Sequence, residues 1–162
     1  MPTSNNQSKR MGILSDTHGL LRPAVIDVFT GVDMILHVGD VGDAAILREL
    51  SQIAPVHAVR GNMDRGELFE QLPETLLVEG CGIVVYLLHD LLQLEINPVA
   101  SGVQMVVHGH THRASIEQRQ RVWYVNPGAA GPARDHGQPS IGMVEVRSRE
   151  ILPRIVAISK FD

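Results

Sequence analysis

Short apolar runs recur along the first 60 residues, and each gives way to a polar cluster. "MGILS" (11–15) is continuous and short, the pattern of a fully buried strand. "RPAVIDVFTG" (22–31) spaces its apolar residues for a helix, with Pro23 in the first turn and Gly31 at the stop. "MILHVGD" (34–40) is the next strand. "DAAILRELSQIA" (43–54) has helical spacing, an N-cap candidate in Asp43 and a stop before Pro55. "VHAVRGN" (56–62) is a third strand. Strands alternating with helices predict a βαβαβ unit, with parallel strands covered on both faces.

The second half changes character. "ETLLVEGCGIVVYLLH" (74–89) reads as two strands about a turn at Gly80–Gly82. A short helical connection containing Pro98 leads to "VQMVVHG" (103–109). "RASIEQRQRVWYVNPG" and "SIGMVEVRSREILPRIVAIS" read as antiparallel hairpins, and "RSREILPR" as a solvated hairpin face. Without repeats or a linker, residues 11–162 are expected to form a single α/β domain with two sheets. Residues 1–10, polar throughout, are expected to be a disordered tail.

Composition narrows the class. The chain has 162 residues, 44% of them apolar and 20% charged, as in an ordinary globular protein. Its formal net charge of −4 offers no basic footprint for nucleic acid, although a nucleotide substrate remains compatible. Cys81 is alone, which excludes a disulfide framework and a thiolate zinc site and suits a reducing, cytoplasmic setting. No apolar run has the length of a membrane span. "MPTSNNQSKR" lacks the apolar core of a secretory signal.

The polar clusters carry the chemistry. They are "SDTH" (15–18), "VGDVGD" (38–43), "RGNMD" (60–64), "LLHD" (87–90) and "HGHTH" (108–112). Ligands of open α/β sheets bind beyond the carboxyl ends of strands, where all five fall. On extended chain, residues i and i+2 share a side, so Asp16 and His18 can meet one target, as can His110 and His112. Gly39, Gly61 and Gly109 allow sharp turns. Asp16, His18, Asp40, Asn62, His89, His110 and His112 form an oxygen and nitrogen donor set without thiolate. It suits Mn²⁺, Fe, Zn²⁺ or Ni²⁺. The set is too large for one tetrahedral ion and suits two ions sharing a carboxylate, ~3.5–4 Å apart.

The ordered set D-x-H (Asp16, His18), GD (Asp40), GN (Asn62), a strand-end His (His89) and GHTH (His110, His112) resembles the calcineurin-like metallophosphoesterases. It is most similar to their small single-domain YfcE-type phosphodiesterases. "NPGAAGPAR" (126–134) is similar to the loop that follows in those proteins. The resemblance implies a four-layer α-β-β-α sandwich of two mixed sheets flanked by helices. It also implies a metal-dependent phosphodiesterase acting on small phosphate esters, with two divalent ions, Mn²⁺ foremost. Asp16, His18 and His112 would hold one ion and Asn62, His89 and His110 the other. Asp40 would bridge them with a hydroxide, the in-line nucleophile. Asp40, Asn62 and His110 would be the catalytic members.

Three departures stand out. Met63 follows the GN pair where many large relatives carry a His that serves as leaving-group acid. Asp90 replaces a usual Gly, either orienting a ligand or standing as a loop acid. Ala129 replaces a usual Ser. Arg134 and Asp64 are candidate substrate contacts, Asp64 equally a turn cap and Arg134 equally a surface residue. His108 is expected to pack or support rather than ligate, His37 and His57 to be hydrogen-bonded strand residues, and His136 to be solvated. Alternatives are a non-catalytic scaffold of the same fold, or a phosphomonoesterase or nucleotide phosphatase. A lactamase-like dinuclear hydrolase would need an H-x-H-x-D-H run early in the chain, which is absent. Homo-oligomerisation is compatible with the sequence.

Overall fold

The computed structural model describes residues 7–133 and 137–159. Ten strands form two mixed five-stranded sheets. The first sheet takes β1 (Lys9–Leu14), β2 (Met34–His37), β3 (Val56–Ala58), β9 (Ser140–Arg147) and β10 (Glu150–Ala157), in the order β10-β9-β1-β2-β3. The second takes β4 (Thr75–Gly80), β5 (Ile83–Leu88), β6 (Met105–Val107), β7 (Ser115–Arg119) and β8 (Val122–Asn126), in the order β4-β5-β6-β8-β7. β1, β2 and β3 run parallel, as do β5, β6 and β8.

Alternation along each strand builds three apolar layers. Met11, Ile13 and Leu36 of the first sheet face Val85, Leu87, Met105 and Val107 of the second, forming the inter-sheet core. Leu14, Ile35, Ile141 and Met143 face the opposite way, against α1 (Pro23–Phe29) and α2 (Ala44–Leu50). Phe29 lies so close to β1 that a Cβ on Gly12 would meet its ring at 2.7 Å. The βαβαβ unit is therefore covered on both faces, by helices on one side and by the second sheet on the other. Tyr86, Leu88 and Val106 form the outer face of the second sheet. Among the described residues a 3₁₀ turn, Leu91–Gln93, and the loop after it cover that face, with Leu91, Leu94 and Ile96 packed down. The fourth layer of the sandwich is thus thin.

Asp43 caps α2 as its sequence position suggests, accepting from the Ala45 N–H at 2.9 Å. Two details differ from the pattern reading. β1 begins at Lys9, inside the expected tail, because Lys9 and Arg10 pair with Val146 and Glu145 of β9. A short helix, α3 (Glu67–Gln71), was not foreseen; Leu68 is its only buried residue, too little to print a helical period. No helix among the described residues is long and apolar enough to cross a membrane.

Candidate metal centre

The parallel strands of both sheets deliver their carboxyl ends to one rim. Asp16 and His18 follow β1, Asp40 follows β2 and Asn62 follows β3. His89 follows β5, and His110 and His112 follow β6. The two halves are tied across the sheets. The His110 backbone N–H donates to Asp16 Oδ2 (3.2 Å), and His89 Nδ1 donates to the Val38 carbonyl (2.8 Å).

All seven predicted donors meet there. His112 Nε2 is 3.2 Å and His18 Nε2 3.6 Å from Asp16 Oδ1. Asp40 Oδ2 lies between two imidazoles, 3.3 Å from His89 Nε2 and 3.7 Å from His18 Nε2. His110 Nδ1 is 3.2 Å from Asn62 Oδ1. Two groupings can hold an ion: Asp16 with His18 and His112, and Asp16 with Asp40 and His89. The His18 and His112 rings neighbour each other, as do those of His89 and His110. His110 and His112 therefore serve different ends of the cluster rather than one target. Asp16 and His18 do share one grouping, as expected, whereas the extended-chain alternation expected of His110 and His112 failed because both adopt left-handed backbone, with φ of 71° and 59°. These are turns, not strand continuations.

The donor set fits a metal on its own terms. Among the described residues four buried side-chain nitrogen or oxygen atoms lack a hydrogen-bond partner, and three of them, Asp16 Oδ1, His18 Nε2 and His89 Nε2, converge here. Each such orphan costs ~1–3 kcal/mol. A cation between them satisfies all three. Each buried donor is also held by its far atom. Ser15 Oγ donates to Asp16 Oδ2 at 2.6 Å, leaving Oδ1 free. The Met63 N–H donates to Asp40 Oδ1 at 2.8 Å, leaving Oδ2. The Val38 carbonyl fixes the His89 tautomer with its lone pair on Nε2.

The electrostatics follow from this crowding. Burial pushes the Asp40 carboxyl up, but His89, the Met63 N–H and His18 outweigh it and hold the group below its usual range. Burial pulls His89 down, yet the Asp40 and Asp16 carboxylates and the Val38 carbonyl carry it above the ordinary imidazole value. His37 is wholly buried, which drives its pKa to about 3, so it is neutral. It accepts from the Gly39 N–H at Nδ1 (3.1 Å), which puts its proton on Nε2, 3.0 Å from Thr17 Oγ1. Thr17 in turn donates to the Val41 carbonyl. This relay buttresses the loops carrying Asp16 and Asp40.

Of the three glycines read as turn-makers, only Gly39 has a left-handed φ. Gly61 and Gly109 are there for space. A Cβ on Gly61 would stand 2.2 Å from Asp40 Oδ1 and 2.4 Å from its backbone nitrogen, and one on Gly109 would stand 2.0 Å from Ser15 Oγ.

The remaining candidates divide. Asp64 is 1% exposed, and its oxygens accept from the Gly61 and Gly42 N–H groups at 2.8 and 3.1 Å. It clasps two loops and does not face the open side. His108 turns away from the cluster into a separate cavity beside Tyr124 and Asn126, with burial lowering its pKa to about 4. Asp90 caps the 3₁₀ turn through Oδ1 and sets Oδ2 4.0 Å from His110 Nε2. Arg134 and His136 lie outside the described residues. The sequence reading missed Ser15, which only its position before Asp16 signals. It also missed Asn126, whose Nδ2 donates to the Gly109 carbonyl and Thr111 Oγ1, both at 3.1 Å. The "NPG" motif marked that residue without revealing its brace.

Residues 10–149 match the calcineurin-like phosphoesterase superfamily domain, and the chain belongs to that superfamily. The family implies a hydrolase of phosphate esters that uses divalent metal. A Methanocaldococcus jannaschii protein named "Probable metallophosphoesterase" is 38% identical over 129 residues, spanning 74% of this chain and 67% of that one. The fold also matches a novel archaeal phosphodiesterase, with a TM-score of 0.76 at 24% identity over 92% of this chain and 99% of that one. It matches vacuolar protein sorting 29 of Cryptosporidium parvum too, with a TM-score of 0.74 at 17% identity over 94% and 99%.

Proposed function

We propose that the chain is a phosphodiesterase holding two divalent ions. Asp16, His18 and His112 would hold one ion and Asn62, His89 and His110 the other, with Asp40 available to both. The carrying observation is the convergence of three orphaned buried donor atoms, Asp16 Oδ1, His18 Nε2 and His89 Nε2, with the far atoms of Asp16, His89 and the neighbouring Asp40 fixed by the protein. When bound, the ions supply a water activated near neutral pH and positive charge opposite the phosphoryl oxygens. The protein's own part is preorganisation. Ser15, the Met63 N–H and the Val38 carbonyl hold the donors in place before metal arrives, so little reorganisation is left for the reaction. A weakly positive centre suits the single charge of a diester better than a dianionic monoester. Mn²⁺ fits the mixed donors, and the lone cysteine fits a reducing cytoplasm. The domain begins with β1, at Lys9 rather than residue 11.

A second reading, a protein-binding scaffold, is favoured by the likeness to vacuolar protein sorting 29. The complete donor set weighs for the enzyme. Exhaustive chelation followed by Mn²⁺ addition, with an aryl phosphodiester as substrate, separates the two. Activity that disappears and returns supports the enzyme; no activity at full metal occupancy leaves the scaffold.

A further inference from the structure

A cavity of about 450 Å³ opens beside Asn62, His89 and His110. That is the size of a small-molecule site. Its wall carries a feature the metal chemistry does not use. The Arg60 guanidinium lies over the Phe69 ring, 4.3 Å from its centroid. Arg60 is locked in that pose, donating to the Phe69 and Leu72 carbonyls at 3.1 and 2.9 Å and pairing with Glu74 at 3.2 Å. Phe69 stands on the five-residue helix α3 with 52% of its surface exposed, and the Arg60 guanidinium is its partner on one side. Gln93 and Glu95 line the same cavity without a side-chain hydrogen bond to any described residue. An aromatic ring sharing a cavity with free donors and acceptors is what a planar heteroaromatic ring requires: a face to stack on and groups for its edge.

We propose that this cavity binds a nucleobase, so that the substrate is a small nucleoside phosphodiester. The inference rests on the phosphodiesterase reading above. Phe69 stacks on the base, Gln93 and Glu95 meet its edge or the ribose hydroxyls, and the phosphate reaches Asn62 and His110 at the cavity's inner end. A polynucleotide is disfavoured: Glu74, Asp90 and Glu95 line the same cavity, and the chain's net charge is −4.

Two diesters with the same leaving group isolate the base: thymidine 5′-(p-nitrophenyl phosphate) and methyl p-nitrophenyl phosphate. In each, water adds to phosphorus, the bond to the nitrophenyl oxygen breaks, p-nitrophenolate leaves and the water's proton passes to solvent. The chemical step is therefore matched. The thymidine ester should show kcat/KM about 10-fold or more above the methyl ester, the range of one stacked base. Phe69→Ala should bring that ratio to about one, and Phe69→Tyr should restore it. Independently of catalysis, saturation-transfer NMR on the chelated protein should show the base protons of thymidine 5′-monophosphate in contact with wild type and Phe69→Tyr, but not with Phe69→Ala. Equal rates for the two esters, or a ratio unmoved by Phe69→Ala, would overturn the nucleobase assignment while leaving the phosphodiesterase standing. Hydrolysis of neither ester with metal bound would instead sink the phosphodiesterase reading, and NMR contact alone would still support the base site.

Discussion

Gly61→Ala tests whether the centre depends on space rather than on donor chemistry alone. The substitution adds one methyl group and replaces none of the seven donor side chains. That methyl would stand 2.2 Å from Asp40 Oδ1 and 2.4 Å from the Asp40 backbone nitrogen, where real Cβ contacts essentially never fall below 3.0 Å. The loops after β2 and β3 must therefore part by at least about 0.6 Å, since a backbone atom cannot swing aside as a side chain does. The parting also strains the Met63 N–H to Asp40 Oδ1 bond that fixes the carboxylate. Overpacking of this kind costs ~1–3 kcal/mol. At ~2–4 °C per kcal/mol for a chain this size, the melting temperature of the chelated protein should fall by ~2–12 °C. A misplacement near 1 Å at a reacting site costs about 10²-fold in rate. Turnover of an aryl diester should drop by roughly that factor, with metal binding weakened in parallel. Calorimetry, metal analysis and a rate assay on one preparation read all three. Wild-type metal content and turnover in Gly61→Ala would show that Asp40 does not depend on this packing, and would remove it from between the two ions.

Mn²⁺ at about 1,000 times its dissociation constant should stabilise the chelated protein by ~4 kcal/mol, read as a rise of ~8–16 °C in melting temperature; binding without any rise would mean the orphaned atoms are not the ligands. His110→Ala and His112→Ala should each lose metal while His108→Ala keeps two ions per chain, because His108 faces a different cavity; the reverse pattern would shift the motif's register. His37 is neutral when folded, with a pKa of about 3 against 6.5 for the free side chain, so the unfolded chain takes up its proton first as the solution acidifies. Its stabilising contribution is complete above pH 6.5 and declines toward pH 3, by ~2 kcal/mol already at pH 5. Urea titrations of the chelated protein should show this slope reduced by about one proton in His37→Gln, and an identical slope would refute the assignment. Aryl diesters should react far faster than alkyl diesters, since Met63 cannot protonate a leaving group and a general acid is worth ~10²–10⁴-fold; a flat dependence on leaving-group pKa would reveal an acid, with Asp90, whose Oδ2 is 4.0 Å from His110 Nε2, the first to substitute.

The strands and the donor order were legible because both are local. Each apolar run is short and closes on a polar cluster, and β1 to β3 appear where that pattern puts them. What escaped is what depends on contact between distant segments. Asp64 looks like any loop acid until Gly42 and Gly61 are seen on either side of it. The Arg60–Phe69 pair is nine residues apart in sequence and gives no periodic signal. Gly61 and Gly109 looked like turns because a sequence cannot distinguish a glycine needed for its φ from one needed for its missing Cβ. The i, i+2 rule misjudged His110 and His112 because it assumes extended chain, and here the chain has left the sheet.

Left-handed backbone at His18, His110 and His112 has a consequence for how such a protein changes over generations. L-residues other than Gly, Asn and Asp pay ~1–2 kcal/mol there. Selection for robustness alone therefore erodes the site: a drift of any of these histidines to glycine or asparagine relieves the backbone and leaves the surrounding loops in place. Such a lineage would keep the shape of the rim after losing its chemistry, and the shape is then free to be used for something else. In this chain all three positions are histidine, and the contacts that offset their backbone strain are made inside the cluster itself, His18 and His112 with Asp16 and His110 with Asn62.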